Sequence, residues 1–268
     1  MKKHILLSLV FLIGLLSCEK DKTVVATYQP TGSNAFLRVM HVSPNFRNVQ
    51  HYADSFNVYV GANKVNGALF TYNSSFPAAA INVNTYAAVP AGSQQIRLSL
   101  PGKSLVDSFT IMTLTKTLEG GKYYTFFITD SLSAQQDPTK IWVNDANFLS
   151  DDTTQYRIRF AHTILNDTAG KNVDVYSYRK AGNIFSNIAR GAVTDFISLP
   201  APTTLDTISI RRPGTGFELA RISGVSIVKG RSYTILYKGS PGTVGALTGT
   251  GVTGSNVRAR SVVVTNNK

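Results

Sequence analysis

From Ala35 onward the chain is built of short stretches in which apolar and polar residues alternate. Phe36-Leu37-Arg38-Val39-Met40, Gln95-Ile96-Arg97-Leu98-Ser99-Leu100 and Thr207-Ile208-Ser209-Ile210 are of this kind. A period of two residues places one face of a strand on a core and the other toward solvent. Turn formers interrupt the stretches at Asn66-Gly67, Pro101-Gly102 and Gly120-Gly121. No window sustains a helical period, so the pattern predicts an all-β protein of many short strands, of the β-sandwich kind.

The pattern is also written twice. Leu37-Arg38-Val39-Met40-His41 aligns with Ile158-Arg159-Phe160-Ala161-His162, Phe56-Asn57-Val58-Tyr59 with Val173-Asp174-Val175-Tyr176, and Gly121-Lys122-Tyr123-Tyr124-Thr125 with Gly230-Arg231-Ser232-Tyr233-Thr234. Ile141-Trp142-Val143-Asn144 and Val262-Val263-Val264-Thr265 close the two series. The spacing between matched positions shortens along the chain, as when loops change length while strands persist. Two tandem copies of one sandwich are therefore expected, over residues 35–148 and 153–268.

The first 34 residues read differently. Lys2 and Lys3 precede an apolar run from Ile5 to Leu16, broken at Ser8 and Gly14. This has the basic start and apolar length of a signal peptide, and falls short of the roughly 20 residues a bilayer span needs. Leu15-Leu16-Ser17-Cys18 resembles the lipobox of bacterial lipoproteins. That resemblance implies removal of residues 1–17, acylation of Cys18, and a membrane anchor at the outer membrane of the cell envelope, facing the periplasm or the surface. Residues 18–34, opening Glu19-Lys20-Asp21-Lys22, are too polar to bury a core and read as a tether. Cys18 is the only cysteine, so an internal disulfide is excluded.

Arg38-Val39-Met40-His41-Val42-Ser43-Pro44, Asn57-Val58-Tyr59-Val60, Val89-Pro90-Ala91-Gly92 and Glu119-Gly120-Gly121-Lys122-Tyr123-Tyr124-Thr125 together resemble the bacterial domain-of-unknown-function family 4397. The resemblance implies tandem immunoglobulin-like β-sandwich domains on a secreted protein or lipoprotein. It brings no established activity and no catalytic residues. Thr163-Ile164-Leu165 replaces the Ser-Pro segment at the corresponding place in the second copy.

Charge separates the copies. The chain has 27 Lys and Arg against 15 Asp and Glu. From Cys18 to Gln155 the two signs balance at 10 each, whereas Tyr156 to Lys268 has 15 basic and 5 acidic residues. Arg157 and Arg159 stand two apart on one expected strand, and Arg258 and Arg260 two apart before another. If first and last strands are neighbours, the four form one surface patch. Such a patch either aids solubility or binds acidic polysaccharide, lipopolysaccharide phosphate or extracellular DNA.

Other chemistry is sparse. His41, His51 and His162 have no His, Cys or Glu companion at metal-ligand spacing. His41 and His162 end matched strands and are expected to hold the following loops, through Asp54 or Asp174. Gly102-Lys103-Ser104 lacks the remaining glycine of a phosphate loop, and no Gly-x-Ser-x-Gly occurs. Tyr123, Tyr124, Phe126, Phe127 and Trp142 are expected in the core rather than on a carbohydrate platform. Ser131, Thr153 and Thr168 follow aspartates in motifs resembling a bacterial O-glycosylation acceptor. No cofactor or metal is expected, and the expected partner is an anionic polysaccharide or an envelope protein before a nucleic acid. These features favour a binding, adhesion or assembly protein, with a glycan-binding module of an uptake system as the alternative and an enzyme behind both. The Cys18→Ala protein should incorporate no fatty acid, because its only acceptor thiol is gone. Metabolic labelling with a fatty-acid probe checks this, and label on the variant would refute the anchor.

Overall fold

A computed structural model describes residues 32–44, 46, 55–78, 86–101, 109–129, 142–145, 152–241, 247–248, 251–252 and 259–267. The N-terminal half holds β1 (Asn34–His41), β2 (Asn57–Val60), β3 (Asn63–Lys64), β4 (Ser75–Phe76), β5 (Ala87–Pro90), β6 (Gly92–Leu100), β7 (Phe109–Leu118), β8 (Tyr123–Ile128) and β9 (Trp142–Asn144). The C-terminal half holds β10 (Gln155–His162), β11 (Asn172–Ser177), β12 (Gly182–Ala189), β13 (Ile197–Pro200), β14 (Asp206–Arg211), β15 (Glu218–Val225), β16 (Ser232–Lys238), β17 (Leu247–Thr248), β18 (Gly251–Val252) and β19 (Ser261–Asn266). The fold is all-β and sandwich-like, as the alternation predicts. Cys18, His51, Asp54, Ser131 and Arg258 lie outside the described residues.

One N-terminal sheet runs β4-β1-β8-β9, with β5 also paired to β1, and the other runs β3-β2-β6-β7. The C-terminal half repeats this wiring as β13-β10-β16-β19 and β12-β11-β14-β15, and adds a β17-β18 pair within the Gly/Thr-rich stretch. In both halves the opening strand pairs in parallel with a late one, so Arg38 lies opposite Thr125 and Arg159 opposite Thr234. A parallel pair cannot be closed by a tight hairpin, and here the intervening chain builds the second sheet.

Each half has a core between its sheets. Leu37, Val39, Val58, Leu98 and Phe126 belong to the first, and Ile158, Phe160, Val175, Ile210 and Ile235 to the second. Trp142 is half-buried against Tyr124 and Phe126, while Tyr124, Phe126 and Phe127 are buried.

The opening strands are buried on both faces. Leu37 and Val39 face the core, yet Phe36, Arg38 and Met40, which point the other way, are also buried. The C-terminal half covers them. Ala161 and Leu236 join the first hydrophobic cluster, and Phe196 packs on Phe36 and Tyr86.

Between the halves lies a polar cluster in which each reaches for the residue after the other's last strand. Arg159 on β10 pairs with Asp145, after β9; Arg38 on β1 donates to Asn267 Oδ1, after β19, at 2.9 Å. Arg159 Nε donates to Thr234 Oγ1 at 2.9 Å, and its guanidinium sits 4.6 Å over the Phe196 ring. Asp145 also accepts from the Tyr86 hydroxyl, at 2.7 Å, and from Thr125 Oγ1. Burial pulls the Arg38 guanidinium below its ordinary value, and the charge of Arg159 adds to the effect. Nearby, the Lys238 ammonium crosses to Asn73 Oδ1 and lies 5.6 Å over Tyr72; burial lowers it to about 8.

This arrangement corrects the expected arginine patch. β16 separates β10 from β19, so the first and last strands of the C-terminal half are not neighbours. Arg159 faces the other half rather than solvent and is 2% exposed.

Asp145 pairs directly with the buried Arg159, and its charge also acts on the buried Arg38. Removing one partner of a buried ion pair costs about 3–5 kcal/mol, because the remaining charge is left uncompensated. Asp145→Asn should therefore lower the urea midpoint by about that much stability. Asn267→Asp, which gives Arg38 its own carboxylate, should raise it. An unchanged midpoint in Asp145→Asn would show that the cluster does not hold the halves together.

Candidate functional site

The sheet β12-β11-β14-β15 turns Val173, Val175, Ile208 and Ile210 into the core. Its period of two sends Asn172, Asp174 and Tyr176 of β11, and Ser209 and Arg211 of β14, to the opposite face. The register aligns Tyr176 with Ser209 and Arg221, and Asp174 with Arg211 and Glu218, in adjacent rows. On this face Asp174 and Ser209 are buried, Tyr176, Arg211, Glu218 and Arg221 are half-buried, and Tyr178 is exposed.

Its centre is a cluster of aromatic rings and guanidiniums. Arg211 lies 3.5 Å over the Tyr176 ring, and Arg211 and Arg221 each stand 5.1 Å from the Tyr178 ring. Tyr176 and Tyr178 meet edge to face at 5.4 Å. Glu218 holds the group together. It accepts from the Tyr178 hydroxyl, from Arg211 Nη2 at 3.2 Å and from Arg221 Nε at 2.7 Å. Arg211 Nε donates to Ser209 Oγ at 2.9 Å, and Arg221 Nη2 to the Tyr178 hydroxyl at 2.8 Å.

Burial pushes the Glu218 carboxyl up, but bonds from Tyr178, Arg221 and Arg211 outweigh it and leave Glu218 below its ordinary value. Burial acts against the Arg211 cation, and Tyr178 and Glu218 reverse that, so Arg211 is raised. The cluster therefore stays ionised near neutrality with two cations to one anion. Nη1 of Arg211 and of Arg221 has no protein partner among the described residues, and Tyr178 is 42% exposed. A flat aromatic face beside unused guanidinium donors suits a ligand with an apolar side and oxygen acceptors. The N-terminal half has a related pair, with Arg97 4.2 Å over Tyr59 and bonded to Ser99 and Thr110.

The expected site residues lie elsewhere. Arg260 is held by Asp167 through two bonds of 2.8 Å, so it and Arg159 are both committed to carboxylates. Arg157 is half-buried on the same strand as Arg159. Thr153 and Thr168 are exposed. The aspartates preceding them organise their own turns: Asp152 accepts from Thr154 N at 2.8 Å, and Asp167 from Gly170 N at 2.8 Å. Among the described residues no three His, Cys, Asp or Glu side chains gather as a metal ion would require.

His162 holds the loop after β10, with the partner corrected. Its Nε2 lies 2.7 Å from the Gly170 carbonyl oxygen, while Asp174 accepts instead from Asn187 N. Gly170 allows this close approach, since a Cβ there would stand 2.7 Å from Asp167 Oδ2. In the N-terminal half His41 Nδ1 accepts from Ser43 N at 3.3 Å, and its ring stacks on Phe56.

The residues that sequence reading passed over are Tyr176, Tyr178, Arg211, Glu218 and Arg221. Their signal was present in Asn172-x-Asp174-x-Tyr176-x-Tyr178, an outward row longer than the core-facing one beside it.

Burial lowers the His162 imidazole below its ordinary value; the Gly170 carbonyl and Asp167 oppose the shift, and Arg190 adds to it. The unfolded chain then binds that proton more readily than the folded one. The resulting stability is present above the unfolded value, about 6.5, and is lost as pH falls through the folded one. The urea midpoint should drop between about pH 7 and pH 5, and His162→Gln should flatten that drop. An equally steep drop in the variant would remove His162 as its source.

No curated protein matches the chain in sequence. Among solved structures, the Bacillus anthracis TIE protein overlaps 78% of the chain at 12% identity with a TM-score of 0.23. The chain spans about a third of that protein, 34% of its length. A family 26 carbohydrate-binding module from Eubacterium rectale Amy13K, solved with maltoheptaose, overlaps 86% of the chain and 96% of its own length, at 12% identity and a TM-score of 0.24. The sequence match that identifies the chain spans residues 35–176, more than half its length, and the chain belongs to the family described as Domain of unknown function (DUF4397).

Proposed function

We propose that this chain is a non-catalytic binding protein of the bacterial cell envelope, made of two tandem immunoglobulin-like copies and tethered to the outer membrane by a lipid on Cys18. Its binding surface is the outer face of β11, β14 and β15, and its ligand is a glycan. The observation that carries this reading is the Tyr176–Tyr178–Arg211–Arg221 cluster braced by Glu218, with Tyr178 exposed. Sugar rings present apolar C–H faces that stack on aromatic rings, and hydroxyls that accept from guanidinium N–H groups. Glu218 fixes the cluster before any ligand arrives, which reduces the ordering cost of binding.

The lipid on Cys18 would hold this face near the membrane, where envelope and environmental polysaccharides are met. Thr153 and Thr168 are exposed and could carry sugars of their own. Affinity electrophoresis through gels containing neutral or acidic polysaccharides tests the reading. The full chain should be retarded by at least one of them. Tyr178→Ala should weaken that interaction about three- to tenfold, the loss expected for one aromatic face. Retardation unaffected by Tyr178→Ala, or absent from every gel, would overturn the glycan reading.

A further inference from the structure

The C-terminal half treats its basic residues in two ways. Arg159, Arg260, Arg211 and Arg221 are each bonded to a carboxylate. Lys171 and Arg212 are exposed, and among the described residues neither side chain makes a hydrogen bond or an ion pair. The two line one shallow depression with Thr168, Asn172 and Pro213. Arg190 stands next to it, its backbone N–H bonded to the Lys171 carbonyl oxygen at 2.8 Å, and is also exposed.

The neighbouring carboxylates are not available to these cations. Asp167 is fully buried and held by Arg260, Tyr237 and Gly170 N. Asp174 is buried and accepts from Asn187 N. Two cations thus line the depression, and no acid is among the residues that line it.

The depression and the aromatic cluster lie at opposite ends of β11. Asn172 lines it and also begins the outward row that leads through Asp174 and Tyr176 to Tyr178. Six strand residues cover about 20 Å. That length accommodates several linked sugars rather than one. Arg212 also lies 4.3 Å over Phe217, a ring 54% exposed, so a second aromatic face stands beside the cations.

We infer that the depression is an anion subsite and that the ligand is an acidic polysaccharide lying along β11, with one of its carboxylates on Lys171 and Arg212 and a later sugar stacked on Tyr178. The inference rests on the glycan reading and adds the charge, direction and extent of the ligand. Arg212 can hold a carboxylate with two parallel N–H donors, and Lys171 adds a point charge.

The test compares polygalacturonate oligomers with their methyl esters, which keep the sugar backbone and lose the charge. Titration calorimetry on the full chain in detergent gives the affinity ratio of acid to ester. The wild-type chain should favour the acid by about tenfold or more, a preference that shrinks as salt is added. Lys171→Gln combined with Arg212→Gln should bring the ratio near one. Both residues are exposed, and an unchanged unfolding midpoint confirms that the double variant folds. Tyr178→Ala should weaken acid and ester alike and keep the ratio.

A double variant that retains the preference, or a wild-type chain with no preference, overturns the anion subsite while the stacking platform stands. Loss of the preference with no effect of Tyr178→Ala on either probe leaves an anion site without the platform, and overturns the lengthwise pose and the glycan reading together.

Discussion

The joint between the halves depends on one carboxylate. Asp145 is withdrawn from water and shared by Arg159, Tyr86 and Thr125, while Arg38, also buried, must rely on the amide of Asn267. Burying charge is costly, and a pair recovers that cost only when its hydrogen bonds are well met. The reach of each half's arginine for the residue after the other half's last strand allows a single relative placement. Apolar contacts such as Ala161 and Leu236 against the first cluster add contact area, but they lack direction.

That placement decides which faces are free. Covering Phe36, Arg38 and Met40 on one side and Arg159 and Ala161 on the other uses up the inner sheet faces. The outer sheets remain for contact with other molecules. In the C-terminal half the outer sheet carries Tyr176, Tyr178, Arg211, Glu218 and Arg221, and in the N-terminal half Tyr59 and Arg97 form a comparable pair. The charge asymmetry of the sequence therefore has two parts in space. Some of the excess arginines bind carboxylates inside the molecule, and others, such as Arg212, stand at the surface.

Much of the fold was legible from the chain. Alternation over β6 and β14 showed strands because one face of each meets a core and the other carries polar residues. The matched segments around Arg38 and Arg159, and around Thr125 and Thr234, mark strands with the same pairings in both halves. His41 and His162 were legible as residues that hold the loops after their strands. The partner of His162 was not, because a backbone carbonyl has no signature in the sequence.

The sequence by itself determined the all-β class, the recurrence of the strand pattern and the basic character of the C-terminal half, because these follow from side-chain period and composition. Only the tertiary structure decided what each arginine does. Arg157 and Arg159 do share a face, as their spacing requires, but whether that face meets water or another sheet depends on how the two halves dock. Arg159 and Asp145, and Arg38 and Asn267, meet only when both halves are folded and docked. The outer cluster was equally hidden, since Tyr178 follows β11, Arg211 ends β14 and Glu218 and Arg221 lie on β15, and the register of the three strands brings them together. A period of two specifies the face of a strand on which a residue stands, and the order of strands and sheets specifies what that face touches.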